Sequence, residues 1–106
     1  MKIIRSNIFP LGANSIREIF IQICNMELLE LYKNKSLGLS QMLDKYSESD
    51  IRDAFKSIYV DKDYYLSIPE HSNSDVLLRF LEFGGEGIKP THLLSKAKQR
   101  ITKTFL

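Results

Sequence analysis

The sequence predicts a mainly α-helical fold, with about five helices in one compact domain and a short β hairpin or strand near residues 64–68. Three observations predict it. Apolar residues recur at three- and four-residue spacing through most of the chain, the interval that lines one face of a helix. Serines stand ahead of several of these stretches, where a side-chain oxygen can accept from the free amides of a first turn. The composition is that of an ordinary folded chain: 106 residues, 43% hydrophobic and 26% charged, enough for one core and too few for two.

The elements follow in order. Pro10, Gly12 and Asn14 form an opening loop, and Ser15-Ile16-Arg17-Glu18 has the form of a capping box. Ile16, Ile19, Phe20 and Ile23 then mark one helical face, widened by Ile21, Cys24 and Met26. This helix is expected over residues 15–32. Glu27 and Glu30 fall near its apolar arc, so the helix either bends or ends near Met26 or finds partners for them, and the preferred reading is that it leaves the core towards its end. Residues 34–36 break the pattern. Leu39, Met42, Leu43 and Tyr46 give a second, shorter helix, which Gly38 weakens by about 1 kcal/mol relative to alanine. Ser47 or Ser49 caps a third, with Asp50 in its first turn and Ile51, Ala54, Phe55 and Ile58 on its apolar face. Asp61-Lys62-Asp63 is a turn, and Tyr64-Tyr65-Leu66-Ser67-Ile68 has strand composition stopped by Pro69. Ser72 or Ser74 caps a helix carrying Val76, Leu77, Leu78, Phe80 and Leu81, which Gly84-Gly85 ends. Pro90 or Thr91 opens the last helix. Its apolar side is Leu93, Leu94, Ala97, Ile101 and Phe105, while Lys96, Arg100 and Lys103 share another.

The formal net charge of +2 conceals a partition along the chain. Residues 44–87 carry ten carboxylates against five cations, and residues 88–106 carry five cations and no acid. An acidic middle of this kind steers a basic partner. The two regions can also neutralise each other within the fold or meet across a homodimer. Interleaved with the acids are tyrosines, which offer contact area with a polar tip and are frequent binding hot spots. Glu48, Asp50, Asp53, Asp61, Asp63, Tyr64, Tyr65 and Glu70 are therefore the expected partner-binding residues; Tyr59 is placed either among them or in the core.

No catalytic signature is present, and the chain is expected not to be an enzyme. The lone Cys24 lies in an apolar helical stretch, the setting of a buried structural thiol, and no disulfide can form within the chain. His71 and His92 lack metal-ligand spacing, so no metal or cofactor is expected. Gly84-Gly85-Glu86-Gly87 follows a helix, contains a carboxylate and lacks a following lysine in the right place; it reads as a helix stop and turn, not a phosphate cradle. No apolar run would span a bilayer, and residues 1–12 include Arg5 and Asn7 in place of a leader's apolar core. A cytoplasmic protein without membrane contact is expected.

Two resemblances follow. Leu39-Ser40-Gln41-Met42-Leu43, the run from Ser49 through Ile51, Ala54 and Phe55 to Tyr59, and then Tyr64-Tyr65-Leu66 look like a winged-helix core within residues 15–68. That resemblance implies a recognition helix and a wing on nucleic acid. Here, however, Arg52 and Lys56 stand among Glu48, Asp50 and Asp53, and the wing turn holds Asp61 and Asp63, all of which repel phosphate. A nucleic-acid surface would then be Lys96, Arg100 and Lys103 on the last helix. In size and character the chain also resembles the small bacterial immunity proteins that neutralise a cognate toxin, including those of contact-dependent growth inhibition systems. That resemblance implies a non-enzymatic inhibitor whose partner is a basic toxin domain, many such toxins being nucleases whose active site is covered.

Overall fold

The computed structural model describes residues 13–60, 66–70 and 72–105. It is mainly helical, with five helices and one two-stranded antiparallel hairpin among the described residues. The longest helix, α1 (Ala13–Lys33), sits at the centre. It buries Ile16, Phe20, Ile23, Cys24, Leu28 and Leu31, and it packs against the last helix on one side and the third helix and hairpin on another.

Two expectations for α1 need correction. It begins at Ala13, so Ser15 falls within the first turn and not at the cap position. Polar residues suit either position, because a first turn and its cap face the same unpaired amides. Nor does the helix leave the core: Leu28 is fully buried and Leu31 nearly so. Glu27 is carried inside with them because Arg100 reaches it.

The exit from α1 is a Schellman turn, with Ser36 N–H donating to the Leu31 carbonyl at 2.9 Å and Lys35 N–H to that of Tyr32 at 3.1 Å. Lys35 takes the left-handed conformation (φ 53°) that glycine more often fills. Ser36 then caps α2 (Leu37–Lys45) by accepting from Leu39 N–H at 3.3 Å. Leu39 and Met42 bury the inner face of α2.

Helix α3 (Glu48–Lys56) starts with a full capping box. Ser47 Oγ accepts from Asp50 N–H at 3.1 Å, and Asp50 Oδ2 accepts from Ser47 N–H at 3.2 Å. Ile51, Ala54 and Phe55 face inward. The helix stops at Lys56, short of the Ile58–Tyr59 limit that spacing suggests. Arg17 of α1 supplies the stop: its guanidinium donates to the Ile58 carbonyl at 2.9 Å and to that of Lys56. Ile58 is still fully buried. The chain after it forms β1 (Tyr59–Val60), paired with β2 (Leu66–Ser67) so that Tyr59 lies opposite Ser67 and Val60 opposite Leu66. The expected strand near residues 64–68 is thus one arm of this hairpin.

Ser72 caps α4 (Asn73–Phe83), accepting from Asp75 N–H at 3.0 Å. Leu77, Leu78 and Leu81 bury its inner face, chiefly against α3. Gly84 ends it with φ 76°, and Gly85, Glu86 and Gly87 continue at positive φ in a turn closed between Gly85 and Ile88. Helix α5 (Leu93–Phe105) begins later than Pro90 or Thr91. Thr91 is used instead to tie the loop to α4, its hydroxyl donating to the Leu81 carbonyl at 2.6 Å. His92 takes the cap position, its carbonyl accepting from Lys96 N–H at 3.0 Å. Leu93, Ala97 and Ile101 are buried and Leu94 is half-buried; the side chain of Phe105 lies outside the described ones.

Candidate functional site

Packing α4 across α3 leaves a concavity of about 350 Å³ between them. Asp50 and Asp53, three residues apart and so on one side of α3, line it together with Tyr46 from the end of α2 and with Asn73 and Ser74 from the first turn of α4. Ala54 and Leu77 form its apolar wall. Asp50 is held in place by the capping box, while Asp53 lies in the open, 3.6 Å from the equally exposed Lys56 ammonium. The cleft thus offers two carboxylates, a phenol, an amide and a hydroxyl on an apolar base, a set that accepts hydrogen bonds from a cationic side chain.

The other expected partner-binding residues divide. Glu48 turns away from the cleft and joins α1 to α3: Tyr32 Oη donates to its Oε1 at 2.6 Å and Arg52 Nε to its Oε2 at 3.1 Å. The Tyr32 hydrogen bond, then Arg52, holds the Glu48 carboxyl below its ordinary range, and the same bond raises the Tyr32 phenol. Arg52 extends the link to Asn25 Oδ1 at 3.5 Å. Glu70 is exposed in the turn ahead of α4. Asp61, Asp63, Tyr64 and Tyr65 lie outside the described residues, as does His71. Tyr59 is 67% exposed, which takes it out of the core. Asn73 was not legible as a site residue, because nothing in its local spacing connects it to Asp53; Ser74 read only as a possible cap.

Lys96, Arg100 and Lys103 do share one face of α5, around a shallow concavity of about 410 Å³ that also includes Gln99 and Glu27. Arg100 is committed there, its Nη2 lying 2.8 Å from Oε2 of the nearly buried Glu27. One of the three cations is therefore neutralised at short range.

Cys24 is fully buried, and burial, with the Glu27 charge adding to it, pushes the thiol far above its ordinary range, so the nucleophilic thiolate is suppressed. Glu82, His92 and Ser95 meet at the start of α5. Ser95 donates to Glu82 through both its amide, at 3.0 Å, and its hydroxyl, and His92 Nδ1 lies 3.4 Å from Glu82 Oε2. A nucleophile–base relay needs the serine on the imidazole. Here the carboxylate takes the contacts of both, and the cluster is a helix cap. Among the described residues no group of three or more His, Cys, Asp or Glu could hold a metal ion. No described helix is long and apolar enough to cross a membrane. The chain matches no protein-family model, no curated protein and no solved structure.

Proposed function

We propose that this protein is a non-enzymatic inhibitor of the immunity type, which binds a basic partner, a cognate toxin with a nuclease-like active-site cleft, through its acidic and tyrosine-bearing face. The observation that carries the reading is the α3–α4 cleft, where Asp50, Asp53 and Tyr46 converge with Asn73 and Ser74. An arginine or lysine of a phosphate-binding cleft fits such a pocket through charge-assisted hydrogen bonds, and surrounding carboxylates accelerate the encounter. The sequence adds Glu70, Asp61, Asp63, Tyr64 and Tyr65 to the proposed partner-binding set.

The test is capture on the immobilised full chain from nuclease-treated lysate of the cells that make it, followed by a titration of the captured protein. A stoichiometric basic protein is expected, toxic when produced alone, with affinity at least tenfold weaker for Asp53→Lys and for the Asp61→Lys/Asp63→Lys pair. Unchanged affinity in both variants at low salt overturns the acidic-face reading. A second reading, a winged-helix-like regulator on nucleic acid, is favoured by the meeting of Lys96, Arg100 and Lys103 on one face of α5. Recovery of DNA or RNA only when nuclease is omitted would select it.

A further inference from the structure

Helix α2 ends at Lys45, and the next residue is Tyr46, which lines the α3–α4 cleft. At Tyr46 the backbone passes from helical to extended, with φ −133° and ψ 145°. The position of this side chain therefore depends on where the last turn of α2 sits. The most extensive contact of α2 with another helix is with α4. Its second hold is the segment of residues 84–91 between α4 and α5, which meets it at three levels. Gly38 faces the Lys89 carbonyl and Thr91 Cγ2, Gln41 Oε1 accepts from Lys89 N–H at 2.7 Å, and Lys45 Nζ donates to the Glu86 carbonyl at 3.2 Å. Residues 38, 41 and 45 fall at i, i+3 and i+7, a single stripe along the helix, about 10 Å long at the helical rise.

The segment is fixed without help from α2. Gly84, Gly85, Glu86 and Gly87 follow one another at positive φ, and Gly85 and Ile88 exchange backbone hydrogen bonds of 2.9 and 3.0 Å. Ile88 is buried, and Thr91 donates to the Leu81 carbonyl through both its amide, at 3.0 Å, and its hydroxyl. Of the three attachments, Lys45 is the one beside Tyr46. Its ammonium also lies 3.6 Å from the Glu86 carboxylate and 5.9 Å from the centre of the Phe80 ring, within cation–π range. We infer that residues 84–91 form a clasp on α2 and that Lys45 is a positioning residue, holding Tyr46 at the cleft. That role rests on the reading of the cleft as the place where a basic partner binds. A pair as exposed as Lys45 and Glu86 adds little to folding stability, so its loss moves the end of α2 and leaves the chain folded.

Two measurements on the full chain test it: amide exchange by NMR without ligand, and anisotropy titration of a labelled hexa-arginine peptide at low salt. In Lys45→Met the Tyr46 amide, which donates to the Met42 carbonyl at 2.8 Å, should exchange at least fivefold faster. The amides of Phe55 and Leu78, inside α3 and α4, should stay within twofold. Peptide affinity should fall at least threefold, and Lys45→Arg should restore both readings. Removing a cation by charge alone tightens binding of a cationic peptide, so the expected weakening has the opposite sign. With Tyr46→Ala already present, Lys45→Met should weaken binding no further. Unchanged Tyr46 exchange in Lys45→Met, or an equal loss of affinity with and without Tyr46→Ala, would overturn the clasp while leaving the cleft reading in place. Peptide affinity unmoved by Asp53→Lys would instead overturn the cleft reading, and the binding role of Lys45 with it, whatever the exchange of Tyr46 shows.

Discussion

Tyr32 and Glu48 show how one contact fixes both a junction and a titration. The phenol of α1 donates to the carboxylate at the start of α3, and this bond leads the causes that lower Glu48 and raise Tyr32. A carboxyl held below its unfolded value adds stability above that value and loses it as pH falls through the folded one. The phenol, held above its unfolded value, keeps its contribution below that value and loses it as pH rises through the folded one. In Tyr32→Phe, the Glu48 midpoint should therefore move upward, read by carboxyl-carbon NMR. The stability gap between variant and parent should also close as Glu48 protonates in acid. A midpoint unchanged from the parent would make Arg52 the controlling partner. The junction itself was hidden in the sequence, where Glu48 reads as one more surface acid of the acidic middle.

Helix starts and helix stops differ in how far their causes lie along the chain. The beginning of α3 is local: Ser47 and Asp50 satisfy each other's amides three residues apart, so sequence spacing exposes it. Its end depends on Arg17, 41 residues before Ile58, and apolar spacing runs on past it. The candidate cleft divides in the same way, since Asp50 and Asp53 are legible as an i,i+3 pair while Asn73 and Ser74 arrive only through helix packing. Gly38 in α2 is a third case. Propensity alone makes it a defect, and alanine should add about 1 kcal/mol. In the fold, the loop before α5 crosses α2 at this residue, with Lys89 N–H donating to Gln41 Oε1 at 2.7 Å. A Cβ on Gly38 would collide with the Lys89 carbonyl oxygen and lie 2.8 Å from Thr91 Cγ2. Gly38→Ala should therefore destabilise the protein by about 1–3 kcal/mol, the usual cost of overpacking, measured by urea unfolding against Ser40→Ala on the exposed side of the helix. A gain in stability would mean that the loop gives way.

At the scale of the whole molecule, the question is whether residues 13–70, with their succession of three helices and a hairpin, form a unit to which α4 and α5 are added. The packing argues against it. α1 makes its most extensive contact with α5, and α3 makes its own with α4, so each major helix of the first half is completed by one from the second. The buried residues of both halves form one cluster, from Phe20 and Phe55 to Leu78, Leu93 and Ile101. Glu27 adds an electrostatic reason: without Arg100 its carboxylate would remain on the inner side of α1 unpaired, a costly state for a nearly buried charge. A fragment of residues 1–70 should therefore lack a cooperative urea transition by far-ultraviolet circular dichroism, whereas the full chain should unfold in one transition that coincides by circular dichroism and tyrosine fluorescence. A fragment that unfolds cooperatively would establish the first half as a unit able to work alone. It would also shift the functional argument from a face built across α3 and α4 to α3 and its hairpin.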